Sequence, residues 1–304
     1  MPFPLRVAST DGIWLLTDSD DEVELPDHEL PDHEVAWLES SSEGHWAIVD
    51  DTELWHRPES AAWSRVATSE LALRCLLPTP GGLLAGSEEA HLFHYAAGEL
   101  HLVDAFESAP TRDDWFTPWG GPPDVRSMSQ GADGTVYVNV HVGGILRSPD
   151  GAADWEPTLD LEEDVHEVLA VPDRPGWLLA PAAVGLAVST DYGETWAVDT
   201  DGLHATYCRA VALSGDTVLV SASTGPSGRR SALYRRPLDG SGLQRCTAGL
   251  PDWFDGNIDT GCLAAAGRRA AFGTRDGDVY VSEAAGATWD LVHEGLPRVS
   301  RLLI

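Results

Sequence analysis

The chain has 304 residues, 43% of them hydrophobic, which is enough apolar material for one large core or two ordinary ones. Its 49 acidic residues outnumber 19 basic residues, all of them arginine, and the formal net charge is −30. Such a charge repels phosphate backbones and anionic lipids, so we expect neither nucleic acid nor a membrane as a partner.

No apolar run approaches the roughly 18 residues that a membrane span needs. The opening, Met-Pro-Phe-Pro-Leu-Arg, lacks the charged leader and apolar stretch of a secretion signal. We therefore expect a cytoplasmic protein, or a secreted one if a leader has been removed. The cysteines show no Cys-x-x-Cys spacing, and we expect four buried thiols: Cys75, Cys208, Cys246 and Cys262.

A short hairpin recurs seven times along the chain at intervals of about 40–50 residues, a period typical of propellers and solenoids. A pair of short strands precedes the hairpin, as at 168–180 and 210–220, so each unit has four strands. The turns are rich in Gly, Asp and Ser. The hairpins lie, in chain order, at 12–16, 53–57, 91–95, 144–150, 189–196, 232–236 and 278–282.

These repeats predict an all-β fold, a seven-bladed β-propeller of four-stranded antiparallel blades. The segment 298–304 resembles an inner strand without a blade of its own, and the N-terminus supplies a blade without its inner strand. We expect the C-terminal strand to pair into the N-terminal blade and close the ring, which removes exposed sheet edges. One domain is predicted over 1–304, with blades at 298–304 plus 2–25, 33–66, 70–104, 124–158, 165–199, 207–248 and 258–292.

Two stretches interrupt the repeat. Within 20–33 the motif Glu-Leu-Pro-Asp-His occurs twice, and we expect an acidic insertion loop there. The segment 109–123 carries Trp115, Phe116 and Trp119 among Pro and Gly residues. Aromatic side chains in such a loop either cover a pocket or plug one end of the central channel.

The clearest turn is Ser189-x-Asp191-x-Gly193-x-Thr195-Trp196. Its Ser and Asp can bond backbone amides, its Gly supplies a positive φ, and its Trp is a large apolar anchor. The pattern resembles the Asp-box, or bacterial neuraminidase repeat, of sialidases, xyloglucan-cleaving glycosidases, sortilin-type receptors and photosystem assembly propellers. The resemblance covers the whole chain at the level of the repeat. It implies a propeller and little about function, because the turn lies on the rim.

Beyond this turn, the sequence lacks the other features of the enzymes and receptors that contain the repeat. A sialidase resemblance implies six blades and an Arg in a Phe/Tyr-Arg-Ile/Leu-Pro motif, whereas the nearest segment here, Leu5-Arg6-Val7-Ala8, lacks both flanks. A xyloglucan-cleaving enzyme implies two tandem propellers, for which the chain is too short. Sortilin-type receptors imply a larger ring and a cysteine-rich module, which four scattered cysteines do not form.

The expected site lies on the face where each outer strand crosses to the next inner strand, because the loops of a propeller carry its function. We expect the polar groups of this crossover face to gather on blades four to seven. The preferred hypothesis is a soluble propeller that binds a small polar ligand, a glycan or a peptide. The predicted binding residues are Arg126, Arg209, Arg275, Tyr207, Trp119, Trp253 and Asn139.

Two further hypotheses concern chemistry at the same face. One is a glycosidase-like hydrolase or lyase, acting on a carbohydrate or polar metabolite, with catalytic residues among Glu167, His166, His204 and Asp259. The other is a divalent metal site with His141, His166 and His204 as ligands, although no cofactor is predicted outright. The competing interpretation is structural: Arg–Asp pairs also join neighbouring blades, and loop histidines also bond backbone.

Overall fold

The computed structural model describes residues 5–16, 27–159 and 164–304. Over these ranges the chain forms seven four-stranded antiparallel sheets, so the predicted seven-bladed β-propeller is confirmed. Helix in the described ranges is limited to α1 (Asp104–Glu107) and the 3₁₀ turns Glu88–Ala90 and Arg112–Asp114. None of the described helices is long and apolar enough to cross a membrane.

The strands of each blade follow one another in sequence, with one exception at the C-terminus. Blades one and two contain β1 (Leu5–Ser9), β2 (Ile13–Leu16), β3 (Asp27–Glu29), β4 (Val35–Ser41), β5 (Gly44–Val49), β6 (Glu53–Arg57) and β7 (Ser64–Thr68). Blades three and four contain β8 (Leu73–Thr79), β9 (Gly82–Ser87), β10 (Leu92–Ala96), β11 (Glu99–Leu102), β12 (Val125–Gln130), β13 (Val136–Val140), β14 (Gly144–Ser148) and β15 (Glu156–Pro157).

The second half of the ring repeats this arrangement. Blades five and six contain β16 (Leu169–Ala170), β17 (Leu178–Ala182), β18 (Gly185–Ser189), β19 (Ala197–Asp199), β20 (Tyr207–Ser214), β21 (Thr217–Ser223), β22 (Ala232–Pro237) and β23 (Gln244–Arg245). Blade seven contains β24 (Leu263–Ala266), β25 (Arg269–Gly273), β26 (Val279–Ser282) and β27 (Asp290–His293), and the last strand is β28 (Val299–Leu303).

The ring closes between the two ends of the chain, as the sequence predicted. Strand β28 is the innermost strand of blade one and pairs antiparallel with β1, with Val7 opposite Leu302. On its other side, the Arg301 guanidinium donates to the Glu39 carboxylate and lies 4.0 Å from the Trp37 ring centroid, which joins blade one to blade two. This pairing covers the inner edge of β1, which would otherwise be exposed.

The outer strand of blade one lies where the sequence predicted an insertion loop. Asp27–Glu29 pairs with β2, which would otherwise be an exposed edge. The imidazole of His28 stacks on Trp14 with ring centroids 3.9 Å apart, and this contact fixes the strand. Residues 2–4 and 17–26, which belong to the predicted first blade and its loop, lie outside the described residues.

The turn at 189–196 has the hydrogen bonds that its residue types predict. Ser189 Oγ accepts from the Gly193 amide at 2.9 Å, and Asp191 Oδ1 accepts from the Thr195 amide at 2.9 Å. Gly193 has φ +86°. In the equivalent turn of blade seven, the anchor Trp289 is 2% exposed. Side-chain acceptors and an aromatic anchor therefore fix the hairpins at the rim.

Apolar cores fill the spaces between adjacent sheets. One cluster joins blades six, seven and one and includes Leu5 and Phe272. A second joins blades two, three and four and includes Trp46, Phe106 and Trp155. Because each sheet packs on two neighbours, the inner strands are held at fixed positions around the axis.

Candidate functional site

A polar cavity of about 350 Å³ lies on the axis, at the ends where the inner strands begin. The polar groups were predicted to gather on blades four to seven, but Thr10, Glu34 and Arg74 bring blades one to three to the same wall. In a closed ring every inner strand reaches the axis, so all blades can contribute. Eight charged residues line the cavity: Arg74, Arg126, Arg209, Arg298, Glu34, Asp51, Asp124 and Asp259.

β-Bulges aim three of these arginines into the cavity. In β8, β12 and β20 the pairing register shifts at Arg74, at Arg126 and at Arg209. A bulge adds one unpaired residue to a strand and redirects its side chain. Register shifts of the same kind occur in β4 and β28, and they place Ala36 and Ser300 in the cavity wall. Residues added by the bulges of five inner strands therefore form much of the wall.

Three of the four cavity guanidiniums have carboxylate partners. Arg74 lies 3.4 to 3.8 Å from three carboxylate oxygens of different residues. Arg209 Nη2 lies 2.7 Å from one oxygen of Asp259, and Arg298 Nη2 lies 3.7 Å from the other. The pair formed by Arg209 and Asp259 joins blade six to the segment that leads into blade seven, so part of the cavity is structural.

Arg126 is the exception among the cavity arginines. Its guanidinium has no hydrogen bond or ion pair to any residue that the structure describes. Burial lowers the pKa of Arg126 to about 10, with a further lowering by the positive charge of Arg209, while Asp259 and Asp164 oppose the shift. The group stays protonated at neutral pH. A guanidinium without a partner, close to a second guanidinium, is suited to hold an anion.

Three polar side chains form a second cluster on the crossover face, between blades four and five. His141 Nε2 donates to Asp164 Oδ1 at 2.7 Å, and His166 Nε2 lies 3.3 Å from the same oxygen. His166 Nδ1 donates to the Cys208 carbonyl at 2.5 Å, because a carbonyl oxygen can only accept. The Nε2 atom of a neutral His166 is then unprotonated. One ligand atom from each of the three side chains lies within 4.8 Å of the other two.

The surroundings set the charges in this histidine cluster. Burial lowers the pKa of His166, and Arg209 and Arg126 add to that lowering, although Asp164 opposes it. Burial raises the pKa of Asp164, but the hydrogen bond from His141 and the contact with His166 outweigh it and hold the pKa well below its usual range. At neutral pH the cluster therefore contains an ionised carboxylate and a neutral buried imidazole.

Two predicted aromatic residues flank the histidine cluster. Trp119 is 61% exposed, and its ring centroid lies 5.2 Å from that of His141. Tyr207 lies 4.7 Å from His166 between ring centroids, and its hydroxyl accepts from Arg209 Nη1 at 3.2 Å. Tyr207 therefore connects the histidine cluster to the axial cavity. In the same 109–123 loop as Trp119, the indole of Trp115 is buried in the core.

Three predicted site residues lie apart from these groups. His204 Nδ1 is hydrogen-bonded to the Tyr234 hydroxyl at 2.7 Å, and its ring lies 4.6 Å from Trp253. Trp253 stacks on Arg245, whose guanidinium carbon is 3.8 Å from the ring centroid. Arg275 is exposed in the turn between β25 and β26. The structure does not bring His204 together with His141 and His166.

Asn139 and Glu167 are buried and bonded to backbone. Asn139 Nδ2 donates to the Val165 carbonyl at 3.1 Å and ties blade four to blade five. Glu167 Oε2 accepts from the Val211 amide at 3.0 Å, and burial raises the pKa of Glu167 to about 7. Each of the four predicted acids and bases has a different main partner: Val211 for Glu167, Cys208 for His166, Tyr234 for His204 and Arg209 for Asp259.

Asp164 was not selected from the sequence, although a signal for it exists. It precedes His166 by two residues at the start of blade five. In extended chain, residues two apart point to the same side, so an Asp-x-His segment places a carboxylate beside an imidazole. The Asp51 and Asp124 carboxylates were also missed, because their approach to Arg74 depends on how the blades close around the axis.

Comparison with known proteins identifies the fold and no family. No protein-family model matches the chain, and no curated protein matches its sequence. A structure of U3-55K is similar with a TM-score of 0.60 at 15% identity over 86% of this chain and 81% of the other. An ancestral GH74 enzyme gives 0.61 at 13% over 88% and 38%, and YCF48 bound to D1 peptide gives 0.57 at 14% over 90% and 83%. Identities this low show a shared propeller fold alone.

Proposed function

We propose that the protein is a soluble Asp-box propeller that binds a small polar ligand, a glycan or a peptide through an anionic group held by Arg126 in the axial cavity. The single observation that carries this proposal is the unpaired guanidinium of Arg126 among the described residues. The chain has a net charge of −30, so it contains many carboxylates that could have paired with Arg126. A bound ligand supplies the missing counter-charge.

The other charges of the cavity favour a carboxylate over a phosphate. Glu34, Asp51, Asp124 and Asp259 surround the arginines and repel a compact dianion. A single carboxylate fits the planar guanidinium with two parallel hydrogen bonds. The surrounding acidic oxygens then accept from hydroxyl or ammonium groups on the same ligand. A peptide terminus and an acidic sugar both combine these features.

The size of the cavity supports recognition of one end of such a ligand. A volume of about 350 Å³ is near the lower limit of small-molecule pockets, which begin at about 300 Å³. The rest of a longer ligand can then lie across Tyr207 and the exposed Trp119, two aromatic surfaces suited to stacking. YCF48 bound to a D1 peptide supports the peptide alternative, since a similar ring accommodates one.

The hydrolase or lyase alternative has weaker support. General acid–base catalysis requires an acid and a base within reach of the same substrate atom. Glu167 is bonded to a backbone amide and Asp259 to Arg209, while His204 is bonded to Tyr234. Binding is therefore the function that the geometry supports best.

The test is binding to immobilised peptides and acidic sugars prepared in matched pairs, one with a free carboxylate and one with the amide. We expect the protein to retain carboxylate members selectively. Arg126→Gln should weaken that binding at least about tenfold, the loss of one charge-assisted pair. Arg174→Gln is the matched control, because the Arg174 side chain is 41% exposed and pairs with Asp239 away from the cavity. Equal binding of acids and amides, or an unchanged Arg126→Gln variant, would contradict the proposal.

A further inference from the structure

We infer that His141, Asp164 and His166 form a binding site for one divalent transition-metal ion. This site goes beyond the proposed function and does not depend on which ligand the axial cavity takes. Asp164 Oδ1 lies 2.7 Å from His141 Nε2 and 3.3 Å from His166 Nε2. All three ligand atoms lie within 4.8 Å of one another, so one ion can reach them with small side-chain adjustments.

The burial and hydrogen bonding of His166 favour a metal site most strongly. Its side chain is fully buried, and its Nε2 atom has no hydrogen-bond partner among the described residues. The other nitrogen donates to the Cys208 carbonyl. This second bond fixes the tautomer and ring orientation in the way that outer partners fix metal-bound histidines. Nε2 therefore presents a buried lone pair toward Asp164, an arrangement that costs free energy unless a cation lies between them.

His141 supplies the second nitrogen. In the metal-free protein its Nε2 hydrogen bonds to Asp164 Oδ1. On binding, the ion takes the place of the hydrogen on Nε2, and the ring proton is carried on Nδ1 instead, so that His141 binds the ion as a neutral imidazole. The exchange keeps Asp164 compensated in both states. The half-buried positions of His141 and Asp164 give an ion access from the crossover face.

The ligand set determines the class of ion. Two imidazoles and one carboxylate suit Zn²⁺ and neighbouring transition metals, whereas Ca²⁺ and Mg²⁺ prefer oxygen ligands alone. Three protein ligands leave one coordination position free on a tetrahedral ion. The exposed Trp119 lies beside His141 at the open side of this site.

The experiment is calorimetric titration of the chelator-treated 304-residue chain with Zn²⁺ as the only added transition metal. Excess Mg²⁺ and salt suppress diffuse binding to the many surface carboxylates. We expect one Zn²⁺ per chain in the parent, and affinity at least about tenfold weaker in His141→Ala and in Asp164→Asn, a loss typical of damaged metal sites. His204→Ala is the matched control, because His204 lies with Tyr234 and Trp253, and it should bind Zn²⁺ like the parent.

Titration with Co²⁺ in place of Zn²⁺ gives a second readout, the visible absorption of the bound ion. This absorption reports the ligands of the ion and not the stability of the fold. We expect visible absorption bands from Co²⁺ with nitrogen and oxygen ligands in the parent and in His204→Ala, and their loss in His141→Ala. Circular dichroism verifies that each variant is folded. Equal Zn²⁺ affinity in the parent, His141→Ala and Asp164→Asn would overturn the site, as would loss of binding in His204→Ala alone.

Discussion

The His166 imidazole is hydrogen-bonded to the backbone carbonyl of Cys208 at 2.5 Å, from blade five to blade six. The backbone carbonyl of His166 accepts from Thr260 Oγ1 at 2.9 Å, from the segment that precedes blade seven. Three consecutive blades therefore hold this residue. These bonds fix the position of the His166 ring. The ring also contacts Tyr207, whose hydroxyl accepts a hydrogen bond from Arg209.

The ion pair of Arg209 with Asp259 should stabilise the ring as well as shape the cavity. Both side chains are largely buried and lie 2.7 Å apart. We expect Arg209→Gln and Asp259→Asn each to lower the free energy of unfolding by about 1–3 kcal/mol, because each leaves a buried group without its partner. Urea denaturation of both single variants and the double variant measures the coupling. A coupling energy near zero would show that the pair does not join the blades.

The closure strand β28 should contribute to the stability of the fold as a buried core strand does. Leu302 in β28 is 1% exposed, whereas Leu291 in β27 is 41% exposed. Leu302→Ala should cost about 2–5 kcal/mol, since it opens a cavity at the closure, and Leu291→Ala less than about 1 kcal/mol. The two substitutions remove the same atoms, so the difference in urea midpoint reports burial. Equal midpoints would contradict a packed closure.

Glycine at the rim turn should be needed for space as well as for backbone conformation. Gly193 and Gly98 have φ +86° and +89°, but an added Cβ at Gly193 lies 2.8 Å from Thr158 Cβ, and at Gly98 it meets nothing within 4 Å. Gly98→Ala should cost about 1–2 kcal/mol from the left-handed backbone alone. Gly193→Ala should cost more, by about 1 kcal/mol or above. Thermal denaturation compares them, and a smaller loss for Gly193→Ala would contradict the close contact.

The thiols should be unreactive in the folded protein. All four cysteines are free and buried. Burial raises the pKa of Cys246 to about 11 and the pKa values of Cys208 and Cys262 to about 12, so almost no thiolate is present at pH 8. We expect no thiol to react rapidly with Ellman's reagent under native conditions, and four to react in guanidinium. Rapid native labelling of any one would show that its blade opens readily.

The fold was predictable because its signals are local. The turn at 189–196 repeats at a regular interval, and the unpaired strand 298–304 matches the incomplete first blade. The outer strand Asp27–Glu29 was not predicted, since Pro and acidic residues around it are typical of loops. Its pairing depends on β2 having a free edge and on Trp14 being available for His28.

The candidate site was predicted in part. Arg126, Arg209, His141 and His166 were selected as polar residues near blade crossovers, and the structure brings Arg126 and Arg209 to the cavity and the two histidines to Asp164. The bulges that redirect the arginines depend on strand pairing and leave no mark in a single sequence. His204 has the same local character as His166, and tertiary packing alone separates them.

The most direct test of anion binding in the axial cavity is a crystal structure of the protein soaked in sodium bromide, because bromide carries a single negative charge and gives an anomalous signal. We predict one anomalous peak within hydrogen-bond distance of the Arg126 guanidinium, on the side that faces Arg209, and no peak there in Arg126→Gln. Peaks confined to arginines outside the cavity, such as Arg174, with no peak at Arg126, would contradict the proposed site.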